Sequence, residues 1–197
     1  MKELFAKCLT GPWVQSGDDV HYRLERDADH LTLVFPGTWD KHGWWHNFDF
    51  AVTLYKDMKV PFMAHKGFAA LYHSIRDKIM GRIGDEVNNG AKYLLILGYS
   101  QGGALATLAH EDAGFRFNGL AVSTVSFASP KVLWLPPNQI KERFKFLTRY
   151  STWGDPVPMV PPAIMGYTHV GTGNAVGPLS LFWPWNHEPD YYERSLP

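Results

Sequence analysis

The stretch that most constrains this chain is an apolar run, Tyr93–Leu97, that stops at Gly98-Tyr99-Ser100-Gln101-Gly102. The run has the length and composition of a strand buried on both faces of a sheet. The small residues that follow, Gly103–Ala113, predict a helix. A serine between glycines at such a corner matches G-x-S-x-G, the nucleophile-elbow pattern, in which the glycines let strand and helix approach closely. The motif predicts that Ser100 is a nucleophile.

Strands and helices alternate along the rest of the chain. Val20–Glu25 and Leu31–Phe35 are predicted to form an N-terminal antiparallel hairpin. The other predicted elements are an amphipathic helix over Phe68–Ile83, a buried strand over Leu120–Phe127, a short helix near Gln139–Phe144 and a strand over Phe146–Ser151. This alternation predicts an α/β fold with a central, mostly parallel sheet and helices on both faces. A length of 197 residues predicts one domain over residues 1–197.

Composition excludes several functions. The formal net charge is zero and charged residues make up 19% of the chain, which argues against nucleic-acid binding. Cys8 is the single cysteine, so neither an intramolecular disulfide nor a cysteine-based zinc site can form. Residues 1–13 lack the pattern of a secretory signal, and no run of about eighteen apolar residues is present. We therefore expect a soluble, cytoplasmic protein, with a processed secreted form as the alternative.

A serine nucleophile needs a base and a carboxylate that orients the base. At a nucleophile elbow the chain order is Ser, then Asp or Glu, then His. Asp155 is the one acidic residue between Phe146 and His187, and it follows a predicted strand directly. A loop at the C-terminal end of a strand is where such a carboxylate is expected. Asp155 is the predicted orienting acid, with a plain turn aspartate as the alternative.

Three histidines follow the elbow, and two of them compete for the role of base. His110 lies ten residues beyond the serine in the predicted helix, which carries it away. His169 has β-branched neighbours, and a histidine in a strand more often has a structural role. His187 lies in a late loop that is free to fold over the sheet edge. We therefore favour His187 as the base.

Six segments, in order along the chain, resemble the class 3 lipases, which include the fungal triacylglycerol lipases. The matching segments are Phe35–Thr38, His65–Phe68, Gly98–Ala106, Ser126–Val132, Asp155–Pro158 and Tyr167–Gly171, with His187 and Tyr191 or Tyr192 behind them. The resemblance implies an α/β-hydrolase fold. It also implies an oxyanion hole formed by the backbone N–H groups of Thr38 and Gln101, to which the Thr38 hydroxyl adds a third donor.

Aromatic residues are concentrated in the segment 39–64, which occupies the place of the family's lid. They predict either a lipid-facing flap or an acyl pocket, and the alternative is ordinary core packing. The same choice applies to the aromatics that precede His187. Trp39, Tyr99 and Trp183 are the predicted substrate-binding residues.

Together these features predict a lipase or esterase that cleaves carboxylic esters through an acyl-enzyme, with no metal and no organic cofactor. Its expected partners are a small-molecule or lipid ester and a membrane or lipid interface, and the sequence does not fix the oligomeric state. A thioesterase or acyltransferase with the same triad is one alternative. A catalytically silent lipid-binding module is the alternative from another class.

Overall fold

The computed structural model describes residues 1–16, 20–38, 50–56, 61–179 and 185–197. The strands are β1 (Val14–Ser16), β2 (Val20–Asp27), β3 (His30–Phe35), β4 (Val52–Tyr55), β5 (Phe62–His65), β6 (Tyr93–Tyr99), β7 (Ala121–Phe127), β8 (Leu133–Trp134), β9 (Leu147–Thr152), β10 (Tyr167–Thr168) and β11 (Thr172–Val176). The helices are α1 (Lys2–Leu9), α2 (Lys66–Asn88), α3 (Gln101–Arg116), α4 (Asn138–Lys141) and α5 (Pro189–Ser195), with 3-10 turns at Glu142–Phe144, Val157–Met159, Ala163–Met165 and Trp185–His187.

The main sheet has seven strands in the order β1-β2-β3-β6-β7-β9-β11. The pairs β1-β2 and β2-β3 are antiparallel, whereas each pair from β3 to β11 is parallel. The predicted hairpin and the predicted mostly parallel sheet are therefore confirmed. Parallel strands place their carboxyl ends at one edge of the sheet, so the residues that follow β3, β6 and β9 come together there.

Alternate residues of β6 pack against opposite faces of this sheet. Leu94 and Ile96 belong to the apolar cluster beneath α2 and α3, whereas Leu97 and Tyr99 belong to the cluster beneath α1 and α5. The side chains of a strand alternate in direction, so an apolar run buries both of its faces. Helices therefore cover both faces of the sheet, as the sequence predicts. Within the described ranges, no helix is both long and apolar enough to span a bilayer.

A second sheet of four short strands, in the order β10-β8-β5-β4, was not predicted. Strands β4 and β5 form an antiparallel pair that lies in the segment 39–64 except for His65, and Tyr55 and Phe62 are buried there with their rings stacked. This part of the predicted lid segment therefore belongs to the packed fold. Residues 39–49 and 57–60 of that segment lie outside the described residues.

Two helices extend beyond their predicted bounds at both ends, to Lys66–Asn88 for α2 and Gln101–Arg116 for α3. Helix α2 begins at Lys66, where the His65 imidazole accepts a hydrogen bond from the Phe68 N–H at 3.4 Å. Helix α3 begins at Gln101, directly after the elbow serine, instead of at Gly103. The predicted helix near Gln139–Phe144 is one turn of α-helix that continues as a 3-10 turn.

The elbow depends on close backbone contact between β6, α3 and the end of β3. A Cβ atom on Gly98 would lie 2.2 Å from the Gly102 carbonyl oxygen. A Cβ atom on Gly102 would lie 2.3 Å from the Pro36 carbonyl oxygen and 2.4 Å from that of Phe35. Backbone atoms cannot move aside as a flexible side chain can, so these two positions require glycine.

We expect Gly102→Ala to lower the free energy of unfolding by about 2–3 kcal/mol, since the added methyl group meets two backbone carbonyls. Gly81→Ala is the matched control, because a Cβ at Gly81 in α2 has no heavy atom within 4 Å. This control should raise the free energy of unfolding by about 0.5–1 kcal/mol. Urea denaturation followed by circular dichroism measures both. Equal effects of the two substitutions would contradict the packing described here.

Candidate active site

Ser100 lies at the corner between β6 and α3 and has a strained backbone. Its φ of 55° and ψ of −124° lie outside the regions that a serine normally occupies. Its N–H donates to the Phe127 carbonyl at 2.9 Å, which ties the corner to the neighbouring strand. The residue is 7% exposed. The corner thus holds the Ser100 hydroxyl at the sheet edge, with its orientation set by the backbone.

His187 connects Ser100 to Asp155. The His187 Nε2 atom lies 2.9 Å from Ser100 Oγ, and the Nδ1 atom lies 3.1 Å and 3.0 Å from the two carboxylate oxygens of Asp155. An imidazole that donates from Nδ1 to a carboxylate leaves Nε2 as the acceptor for a hydroxyl proton. The structure therefore brings together the three residues that the sequence predicts to be catalytic, in the order nucleophile, base and acid.

Asp155 is buried and is held by two further donors. It lies three residues beyond β9, and its Oδ1 accepts from the Val157 N–H at 2.9 Å. Its Oδ2 accepts from the Tyr192 hydroxyl at 2.6 Å. Burial and the nearby Asp155 carboxylate raise the pKa of Tyr192 well above its ordinary value, so this hydroxyl remains a donor. The sequence analysis named Tyr192 only as part of the pattern after His187 and assigned it no role in the site.

The loop that carries His187 is anchored to the end of β9. The Thr152 hydroxyl donates to the Asn186 carbonyl at 2.6 Å, and the Asn186 side-chain amide donates to the Trp153 carbonyl at 2.6 Å. Asn186 is 3% exposed. The acid and the base are therefore fixed to one strand end. No signal in the sequence pointed to Thr152 or Asn186.

The two histidines that were set aside have other contacts. His169 follows β10 directly, and its Nε2 lies 2.8 Å from the Pro158 carbonyl, to which it donates. Burial, with the nearby Arg149 charge, lowers the pKa of His169 to about 3. His110 contacts the Thr124 hydroxyl through Nδ1 at 2.9 Å, and burial lowers its pKa. The lowered pKa values favour the neutral form of both imidazoles. Their hydrogen bonds join them to Thr124, Arg143 and Pro158, whereas Ser100 is bonded to His187.

The turn that follows β3 lies against the elbow. A Cβ on Gly37 would come 3.7 Å from the Ser100 Cβ, so the adjoining Thr38 lies close to the serine. The Thr38 Oγ1 atom is buried and has no hydrogen-bond partner among the described residues. The Gln101 N–H belongs to the first turn of α3, where backbone donors have no partner within the helix. This arrangement suits an oxygen that gains negative charge beside Ser100.

Of the predicted substrate-binding residues, the structure describes Tyr99, whereas Trp39 and Trp183 lie outside the described residues. Tyr99 is 6% exposed, and its ring packs beneath His187 on the face of the sheet covered by α1. The alternation of β6 directs residue 99 toward the core on that face, and a substrate-binding role for Tyr99 stays a prediction. Among the described residues, no cluster of His, Cys, Asp and Glu side chains could hold a metal ion.

Comparison with known proteins identifies the family and the fold. The model of the family Lipase (class 3) matches residues 32–165, which include Ser100 and Asp155 but not His187. Two curated relatives, both called secreted mono- and diacylglycerol lipase A, from Penicillium cyclopium and Penicillium camembertii, are each 32% identical over 116 residues. That alignment covers 55% of this chain and 35% of each relative, so the matched part spans about a third of their length.

Solved structures give the same fold. Lipase II from Rhizopus niveus superposes with a TM-score of 0.73 at 24% identity, over 80% of this chain and 62% of that one. At this identity the likeness concerns the fold, which agrees with the predicted α/β-hydrolase architecture.

The expectation of a cytoplasmic protein is contradicted by the curated relatives, which are secreted. The expectation relied on the lack of a secretory-signal pattern in residues 1–13. In the structure, residues 2–9 form α1, and Phe5 and Cys8 are buried beneath it against the sheet. This segment is part of the folded core, and a core helix carries no information on the cellular compartment.

Proposed function

The chain belongs to the class 3 lipase family, and from that premise we propose that it is a serine hydrolase of carboxylic esters, with Ser100, His187 and Asp155 as its catalytic triad. The observation that carries this proposal is the continuous hydrogen-bonded row from the Ser100 hydroxyl through the His187 imidazole to the Asp155 carboxylate. Such a row activates a serine for acyl transfer.

In the first half of the reaction, Ser100 Oγ attacks the ester carbonyl carbon as His187 Nε2 takes the hydroxyl proton. The carbonyl π electrons move to its oxygen, and a tetrahedral intermediate forms. The imidazolium that results is stabilised by the Asp155 carboxylate at Nδ1. Collapse of the intermediate breaks the bond to the alkoxy group, and His187 delivers the proton to the leaving alcohol. The product of this half is an acyl-Ser100 ester.

In the second half, water takes the place of the alcohol. His187 removes a proton from water as its oxygen attacks the acyl carbon, and a second tetrahedral intermediate forms. Its collapse breaks the bond to Ser100 Oγ, and the proton returns from His187 to the serine. The products are a carboxylic acid and free enzyme, so neither a metal nor an organic cofactor is required by this sequence of steps.

We infer that Thr38 and Gln101 bind the oxyanion in both intermediates. The buried Oγ1 of Thr38 supports this role, because no described residue provides its hydrogen bond and an oxyanion would accept one. The N–H of Gln101 supports it by position, as the first amide of a 16-residue helix whose dipole favours negative charge at that end.

Lipid esters are the substrate class that best fits the surroundings of the triad. The curated relatives are named as mono- and diacylglycerol lipases, and we propose acylglycerols or related lipid esters for this chain. Trp153 and Trp185 support contact with a lipid interface, since they flank the acid and the base and are 47% and 70% exposed. Exposed indole rings are favoured where apolar and aqueous phases meet. The secreted relatives support an extracellular location.

We expect Ser100→Ala to abolish hydrolysis of p-nitrophenyl esters by purified protein, with a loss of at least about 10⁴-fold in kcat, because the nucleophile is absent. The rate should be measured for acyl chains from acetate to palmitate. Ser126→Ala is the matched control, since Ser126 is a buried serine of β7 whose Oγ has no partner among the described residues. This control should retain activity. Hydrolysis at the wild-type rate by Ser100→Ala would refute the proposal, and turnover of acyl-thioesters alone would favour a thioesterase.

For the oxyanion hole, we expect Thr38→Val to reduce kcat by about 10²-fold with a smaller change in KM, because a donor aimed at the developing charge acts chiefly in the transition state. Thr38→Ser keeps the hydroxyl and should retain most of the activity. The measurement is the steady-state rate on the preferred p-nitrophenyl ester. Equal kcat values for the Val and Ser variants would show that the hydroxyl does not contribute.

A further inference from the structure

Tyr99 touches His187 in two ways, although it occupies the variable position of the elbow motif. Its hydroxyl donates a hydrogen bond to the His187 backbone carbonyl. Its ring lies parallel to the imidazole, with the centroids 5.4 Å apart and an angle of 16° between the planes. One side chain therefore contacts both the main chain and the ring of the proposed base.

We propose that Tyr99 is a positioning residue that holds His187 in register with Ser100 and Asp155 during ester hydrolysis. This inference rests on the proposed function. It assigns Tyr99 no contact with substrate, and its effect is exerted through the base alone.

The geometry of the imidazole explains why such a residue is needed. The N–H group and the nitrogen lone pair of an imidazole both lie in the ring plane, so the hydrogen bonds of His187 to Asp155 and Ser100 restrain the ring chiefly within that plane. They resist displacement perpendicular to the plane only weakly. The Tyr99 ring closes one side in that perpendicular direction, and the hydroxyl fixes the backbone from which the imidazole extends. Rates of acyl transfer fall steeply when reacting groups are misplaced by about 1 Å.

Tyr99 can position His187 because its own ring is held in place by neighbouring residues. Phe5 of α1 meets its ring edge-on at a centroid distance of 5.3 Å, and Tyr192 meets it at 6.0 Å. On another side the Tyr99 ring packs against Gly37. A Cβ at residue 37 would lie only 2.8 Å from Tyr99 Cδ1, so the glycine leaves room for the ring. Two neighbouring tyrosines therefore bond to different members of the triad: Tyr192 donates to the acid, and Tyr99 donates to the backbone of the base.

The hydroxyl of Tyr99 is also a permanent donor. Burial raises its pKa well above the ordinary value for tyrosine, and the carboxylates of Asp155 and Glu188 raise it further. The phenol therefore stays protonated at neutral pH and remains a donor to the His187 carbonyl.

The test compares two Tyr→Phe substitutions in the full-length chain. Tyr99→Phe removes the hydroxyl and keeps the stacked ring, so we expect kcat for p-nitrophenyl esters to fall about tenfold with little change in KM. Tyr72→Phe is the matched control, because Tyr72 is also a buried tyrosine, and its hydroxyl donates to Asp112 at 3.1 Å between α2 and α3. The control should lower the melting temperature and leave kcat unchanged.

A second readout does not depend on turnover. The Nδ1 proton of a histidine bonded to a carboxylate gives a low-field NMR resonance, which we expect to broaden or shift in Tyr99→Phe and to remain unchanged in Tyr72→Phe. Phe5→Leu loosens the support under Tyr99 and should lower kcat by a smaller factor. This variant provides the test if Tyr99→Phe fails to fold.

The possible failures are distinguishable. Absence of Ser100-dependent turnover in the wild type would remove the proposed function, whereas the NMR comparison would still report on Tyr99. Wild-type turnover together with unchanged kcat and unchanged resonance in Tyr99→Phe would overturn the positioning role. A fall in kcat of the same size in Tyr72→Phe would also overturn it, since the effect would then reflect stability alone.

Discussion

The buried carboxylate of Asp155 is the group on which the arrangement of this site depends. Its side chain has no exposed surface, and a carboxylate removed from water is costly unless donors surround it. Its donors come from three places, namely its own loop at Val157, the C-terminal helix α5 at Tyr192 and the loop of His187. Two of these donors, at His187 and Tyr192, belong to the C-terminal part of the chain, so hydrogen bonding of the carboxylate holds that part over the sheet edge. This arrangement places the His187 imidazole beside the Ser100 hydroxyl.

A second constraint comes from the corner at Ser100. The left-handed φ of the serine is tolerated because β6, α3 and the turn after β3 approach one another more closely than side chains would allow. The same contact places the turn that precedes Thr38 beside the elbow, and His187 lies 2.9 Å from the Ser100 hydroxyl. Strain in the backbone and the convergence of functional groups are thus two results of one packing arrangement.

Much of this could be predicted from the sequence, because it depends on local patterns. The apolar run of β6, the glycines of the elbow and the alternation of elements predicted the parallel sheet and the position of Ser100. Asp155 and His187 followed from chain order. The second sheet could not be predicted, because β8 and β10 have two residues each and gain their stability from pairing with distant strands. The contact of Tyr99 with His187 could not be predicted either, because the two residues are 88 positions apart in the chain.

The most direct measurement is the site of covalent modification by a fluorophosphonate, located by tandem mass spectrometry. Attack by Ser100 Oγ on phosphorus would form a P–O bond and release fluoride, and this step requires the nucleophile, the base and the oxyanion site together. We predict a single adduct on Ser100 in the wild type and much slower adduct formation in Asp155→Asn. An adduct on another residue, or none in folded protein, would contradict the assignment of this chain as a serine hydrolase.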